Sequence, residues 1–174
     1  MTLRWLSLTL TTLAATGTLY AYAGVYRDAR INGDVLTISS KHGEIKAQKT
    51  EQEQARFTDV RISEDGNTVG WVTLVNCCAS YPSGVSLVLF RGGKVVQNFF
   101  DFGTIKNWAF SGNDAVTVSR QFPHGPEYLG FFNRRITDGV LLGKYECGYS
   151  HDSGERISAS PVPGWAHPFA GDCP

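Results

Sequence analysis

A chain of 174 residues that is 42% apolar and 18% charged has the composition of about one folded domain, not of a disordered segment. Sixteen basic residues balance sixteen acidic ones, so the basic excess that a nucleic-acid binder or a polybasic membrane-surface module needs is missing. Nineteen glycines, seven prolines and 12% aromatic residues point to strands joined by many turns.

In chain order, Arg4 and Trp5 come first, before a mostly apolar run over residues 6–19 and then Ala21-Tyr22-Ala23. A positive start, an apolar centre and an A-x-A site are the parts of a secretory signal peptide. The run is shorter than the roughly 20 residues a membrane anchor needs, and threonines dilute it. Residues 1–23 are therefore expected to be removed on export. Residues 24–174 remain as one domain, periplasmic or extracellular, with no stable membrane insertion.

All four cysteines, Cys77, Cys78, Cys147 and Cys173, fall in that mature part, and an even count behind an export signal favours disulfides. Three pairings are possible. One bonds Cys147 to Cys173 and leaves the adjacent Cys77 and Cys78 joined to each other or free. The other two tie the tail to Cys77 and Cys78 by a double staple. The double staple is the expectation, because a vicinal ring is strained and a bond that closes a longer loop stabilises more, a disulfide contributing about 2–4 kcal/mol in typical cases.

The mature chain carries no long helical period with caps. Residues 47–57, with Gln48, Glu51, Gln52, Glu53 and Gln54, are polar on nearly every face and read as a short surface helix or a mobile hairpin arm. Elsewhere, short β-rich runs flank glycine turns. Residues 35–39 and 44–49 surround Lys41-His42-Gly43, and 58–63 and 68–75 surround Glu64-Asp65-Gly66-Asn67. Residues 85–91 and 94–99 surround Gly92-Gly93, and 107–110 and 115–120 surround Gly112-Asn113-Asp114. Residues 128–136 and 140–145 surround Asp138-Gly139. Each pair reads as a hairpin, since Gly, Asn and Asp supply the positive φ of tight turns. The fold class is all-β.

These hairpins repeat. Ile62-Ser63-Glu64-Asp65-Gly66 lies over Phe110-Ser111-Gly112-Asn113, and Phe90-Arg91-Gly92-Gly93 over Ile136-Thr137-Asp138-Gly139, each about 47 residues on. A fainter copy runs through Val35-Leu36-Thr37-Ile38 to Ile45. The Ser-x-Asp-Gly turn at Ser63–Gly66 before an apolar strand resembles the turn in TolB-like and WD40-like β-propeller blades, over roughly residues 35–145. The resemblance implies four-stranded blade-like units, about 58–100 and 105–146, although the Trp-Asp and Gly-His signatures of WD40 repeats are missing. A closed propeller takes about four to eight blades, and this chain has room for two or three. Packing the sheets face to face, or dimerisation, would cover the faces left over. The expectation is two to three antiparallel units forming a small two-sheet, sandwich-like domain stapled by disulfides. An irregular tail, 147–174, straps across the core.

Chemistry-bearing residues are scattered. No Gly-x-Ser-x-Gly elbow, phosphate loop, zinc-binding helix or EF-hand is present, and Ser83-Gly84 after a proline reads as a turn. His42 sits in a hairpin turn, whereas His124 stands in the rigid Phe122-Pro123-His124-Gly125-Pro126-Glu127 loop, where binding residues often occur. Of the acids Asp101, Asp114, Glu127 and Asp138, three lie in or beside turns, where backbone hydrogen bonding accounts for them. A small cell-envelope hydrolase built on His124 and Glu127 is one alternative. A metal-handling protein using Cys77, Cys78 and a tail histidine, His151 or His167, is another, weakened by adjacent strand side chains pointing to opposite faces. No cofactor or metal is called for.

The aromatics say more. In the doublets Phe99-Phe100 and Phe131-Phe132 one ring of each must leave the buried face, and an outward ring near Arg91 or Arg134-Arg135 has interface composition. Tyr81, His124, Tyr128 and Arg134 are the candidate contact residues. The leading expectation is an exported protein that binds another protein, of an inhibitor or immunity type. The sequence sets no oligomeric state.

Overall fold

The computed structural model describes residues 25–76, 83–101, 103–121, 129–149, 156 and 161–173, and within them the glycine turns close the five hairpins the sequence announces. β1 (Tyr26–Asn32), β2 (Val35–Ser40) and β3 (Gly43–Lys46) make an N-terminal three-stranded antiparallel sheet. β4 (Gln54–Ile62), β5 (Thr68–Val75), β6 (Ser83–Arg91) and β7 (Lys94–Phe100) make a central meander. β8 (Thr104–Ser111), β9 (Ala115–Gln121), β10 (Leu129–Arg135) and β11 (Leu141–Cys147) make a C-terminal one. At Gly92-Gly93 both turn residues have positive φ, +60° and +81°, as a two-residue hairpin loop with right-handed strand twist requires.

The sheets stack in layers, and the period-2 alternation of each strand decides which layers touch. On β5, Val69 and Trp71 join Leu36, Ile38 and Phe57 between the N-terminal and central sheets. Val72 of the same strand joins Leu87, Leu89, Trp108, Val116 and Val118 between the central and C-terminal sheets. The central sheet is thus covered on both faces, which is why β5 and β6 are buried almost throughout. Leu129 and Phe131 on the far side of the C-terminal sheet are covered in turn by Ala166 and Phe169 of a 3-10 helix, Gly164–Asp172. Trp165 lies so close over Gly143 that a Cβ there would sit 3.0 Å from the indole.

The stack ends differently on its two sides. The tail closes one. On the other, the outer face of the N-terminal sheet presents Asp28, Arg30, Asn32, Thr37, Ser39 and Glu44 around a shallow hollow of about 440 Å³. Val35 is the large apolar residue exposed on this strand face, so the face offers little apolar surface for a further sheet to cover.

Three expectations change. The tail is pinned by Cys147–Cys173, with Cα atoms 5.8 Å apart, so the double staple to the Cys77-Cys78 pair is not formed. The reason is packing: the tail helix folds back on the sheet that β11 itself ends, and this brings Cys173 to Cys147. Cys77 and Cys78 lie outside the described residues, as do residues 1–24. A bond closing a 26-residue separation contributes about 3.5 kcal/mol on the chain-entropy account.

Of the two readings of residues 47–57 the helix is not formed: the segment runs into an arm of the β4–β5 hairpin, which begins at Gln54, whose side chain turns inward and accepts from the Thr50 amide at 2.9 Å. Gln54 and Phe57 are both buried, so the segment is less uniformly polar in place than its composition suggests. The faint first repeat is a full three-stranded sheet that opens one strand before Val35, with β1. Charged residues line one face of β1, and a bulge between Tyr26 and Asp28 breaks its alternation.

The Ser63–Gly66 turn is a small hydrogen-bonded unit. The Asp65 carboxylate accepts from the Ser63 hydroxyl at 2.6 Å, the Asn67 amide at 3.0 Å and the Asn67 side chain at 2.9 Å. Partial burial pushes this carboxyl up, but those donors, with the charge of Arg91, outweigh it and hold the group below its ordinary 3.8. A carboxyl depressed in the folded state adds stability above the unfolded value, and that stability drains as pH falls through the folded one. Asp65→Ala should therefore cost about 1–2 kcal/mol near neutrality and progressively less below about pH 4. Urea midpoints for both proteins between acid and neutral pH check this, and parallel curves would refute it.

Candidate functional site

Arg120 shares its strand parity with Val116 and Val118, so the β9 alternation drives a guanidinium into the interior. Only 1% of the residue is exposed. Nη1 donates to the carbonyls of Val85 (3.1 Å), Asp101 (2.8 Å) and Gly103 (3.0 Å), and Nη2 to that of Phe99 (2.7 Å). One side chain thus grips the end of β7 and its turn into β8 by three carbonyls, and ties both to the neighbouring β6. Burial pushes the Arg120 guanidinium below its ordinary value, the Asp101 carboxylate works against this, and Arg134 adds to the lowering.

Asp101 links the two arginines. Its carboxylate accepts from Arg134 Nη2 at 3.3 and 3.4 Å and lies 4.0 Å from Arg120 Nε. Arg134 also donates to the Gly139 carbonyl at 3.2 Å, and its guanidinium stands 5.4 Å from the Phe99 ring centroid. The Arg134 side chain is 22% exposed, so much of this candidate contact residue is occupied in joining the central and C-terminal sheets.

The consequence of this clamp is the display of Phe100. Phe99 is buried and the backbone on both sides of Phe100 is held by Arg120, so the pleat turns the second ring of the doublet outward. Phe100 is 63% exposed, the most exposed of the large apolar residues described. It sits at the end of β7, which among the described strands pairs with β6 alone, and Val95 on the same strand is 44% exposed. In the other doublet, Phe131 is buried and Phe132 half-buried.

A second cluster joins the same two sheets at the other edge. Asp59 adopts φ +46° in a bulge of β4, and its carboxylate takes Arg61 at 2.9 and 3.0 Å. Arg61 donates on to the Trp108 carbonyl and to Asn107 Oδ1, and its guanidinium lies 5.0 Å from the Trp108 ring centroid. Trp108 Nε1 returns a bond to the Asp59 carbonyl at 3.1 Å. The unusual backbone at Asp59 aims both its carboxylate and its carbonyl at this clamp.

Tyr81, His124, Glu127 and Tyr128 lie outside the described residues, as does His151. His42 is exposed in its turn, and His167 Nε2 is 2.9 Å from the Val162 carbonyl. Asp138 pairs with Arg135 at 2.8 Å. Among the described residues no group of three His, Cys, Asp or Glu is arranged to hold a metal ion, and no helix is long and apolar enough to cross a membrane.

Sequence reasoning required one outward ring in the Phe99-Phe100 doublet without saying which, and it missed Arg120. The signal was there: an arginine in the buried phase of a strand otherwise filled by valines. No protein-family model, curated protein or solved structure matches this chain.

Proposed function

We propose that this chain is an exported protein that binds another protein through the outer edge of its central sheet, acting as an inhibitor or immunity-type partner. The observation that carries the reading is Phe100, exposed yet rigidly presented on an open edge strand. A pre-ordered aromatic loses little conformational entropy on docking, and such anchors dominate binding energy at protein interfaces. Export is part of the proposal and is supported by the disulfide, a bond that persists in oxidising compartments, together with the A-x-A leader. The blade resemblance belongs to it too, because an open stack of blade-like meanders keeps strand edges that a closed ring would bury.

The test places a photoreactive phenylalanine analogue at position 100 of the full-length protein, expressed in its own host. One protein crosslinked stoichiometrically at 100, with affinity reduced at least about tenfold by Phe100→Ala, is the expected result. Absence of any crosslink, or a partner indifferent to Phe100→Ala, overturns the reading.

A further inference from the structure

The strand that displays Phe100 carries a bulge, and the bulge decides what can pair with it. Leu89 and Phe90, neighbours on β6, lie opposite Gln97 and Val95 of β7, so Val96 is an extra residue between them. Directly opposite residues of an antiparallel pair share a face. Val95, Asn98 and Phe100 therefore stand on the face of Phe90, Val88 and Ser86, although Val95 and Phe100 would leave a regular strand on opposite sides. Lys94, Val95, Asn98 and Phe100 are all exposed, so the edge is open at both ends and in its middle. On the other face the β10–β11 turn abuts the strand: a Cβ at Gly139 would lie 2.9 Å from Gln97 Oε1 and 3.3 Å from Phe99 Cε1, and Val140 beside it is 48% exposed.

A strand without a bulge, laid antiparallel along this edge, would set residues four apart opposite Phe100 and Val95, as Ser86 and Phe90 of β6 already are. The residue midway between them faces Asn98, whose side-chain amide donates to Glu51 Oε1 at 2.8 Å, so a small polar residue suits that place. The residue after the second apolar one faces Lys94, which takes part in none of the ion pairs among the described residues. An acid there would supply the missing charge.

We infer that the partner proposed above docks by adding an extended antiparallel segment to β7, with two apolar residues four apart, a small polar residue midway and an acid directly after the second apolar one. This mode of docking rests on the reading of Phe100 as the anchor and names the chemistry that meets it. Main-chain pairing along the edge gives affinity, and the bulge-set spacing gives specificity. A second copy of this chain fits less well. Paired antiparallel about Asn98, it would offer Asp101 to Lys94, but that carboxylate is already taken by Arg134 at 3.3 and 3.4 Å.

The probe is a cyclised β-hairpin peptide whose outer strand reads Val-Thr-Thr-Thr-Val-Glu, titrated into the full-length protein and followed by amide hydrogen exchange. Binding is expected to protect amides of β7, because strand addition hydrogen-bonds the backbone and side-chain docking alone does not. Phe100→Ala should weaken it at least about tenfold and Lys94→Glu about threefold or more. A peptide with lysine in place of the glutamate should recover affinity for Lys94→Glu, and one with its valines three apart should bind at least about tenfold more weakly than the parent. Both substituted positions are exposed, and thermal melts confirm that the variants are folded. No binding, binding that leaves β7 unprotected, or indifference to the valine spacing overturns strand addition. A partner crosslinked at Phe100 without protection of β7 removes strand addition and leaves the binding reading standing, whereas no crosslink removes both. Dimers of the protein alone that protect the same amides would give the edge to a second copy and overturn it as well.

Discussion

Gly70→Ala is expected to lower folding stability by about 1–3 kcal/mol, a large effect for one added methyl group. A Cβ at this position would fall 2.6 Å from Trp108 Cη2, 3.0 Å from Trp108 Cζ3 and 3.0 Å from Leu89 Cδ2. The indole cannot swing aside cheaply. Its nitrogen is bonded to the Asp59 carbonyl, Arg61 covers its ring, and Phe110 packs edge-on at 5.3 Å. The central and C-terminal sheets must therefore separate locally, or the tryptophan must give up its hydrogen bond. Trp108→Phe removes the clashing atoms, so it should recover part of the loss in the Gly70→Ala background while destabilising the parent. Urea midpoints of the four proteins measure the coupling, and strictly additive losses would show that the close approach is not the cause.

Arg120→Met should cost about 3–5 kcal/mol, the range for removing one partner from a buried charged network. The replacement fills much of the same space but leaves the Val85, Phe99, Asp101 and Gly103 carbonyls without their donor. Asp101 and Arg134 then hold a simpler pair, which offsets little of this. Arg120→Lys should fall between the two, since an ammonium keeps the charge but not the fork that reaches several carbonyls. Because arginine stays protonated throughout the usable range, the loss in Arg120→Met should persist unchanged from neutral to mildly alkaline pH. Equilibrium unfolding of the three proteins decides it; equal midpoints for Lys and Met would locate the stabilisation in the donor fork alone, and no loss in either would refute the clamp.

The hairpins were legible because turn chemistry is local: Gly92-Gly93 or Asp138-Gly139 needs no knowledge of what packs on the strands it joins. The layers were partly legible. Strands with apolar residues on both faces, such as β5, signal cover on both faces, and the chain indeed has sheets on either side of them. The tail bond was read wrongly because pairing depends on where the tail helix lands on its sheet, and loop length alone carries no such information. Gln54 and Arg120 show the same gap. Each is a polar residue buried among partners supplied by distant backbone or a neighbouring turn, which one-dimensional periodicity does not display. Phe100 was half visible: the doublet required an outward ring, but which of the two, and how firmly it is held, follow from Arg120.

The layered arrangement also bears on how such a chain can change over evolutionary time. Each sheet is an unbroken stretch of sequence, and the buried clusters join a layer to its immediate neighbour. Duplicating or deleting one whole meander between the two end layers would lengthen or shorten the pile without rethreading it. Only the outermost members are constrained to their places, one by its hydrophilic back and the other by the cysteine-tied strap. The architecture is therefore modular in its middle and specialised at its ends, so relatives of this chain would differ most readily in the number of interior sheets.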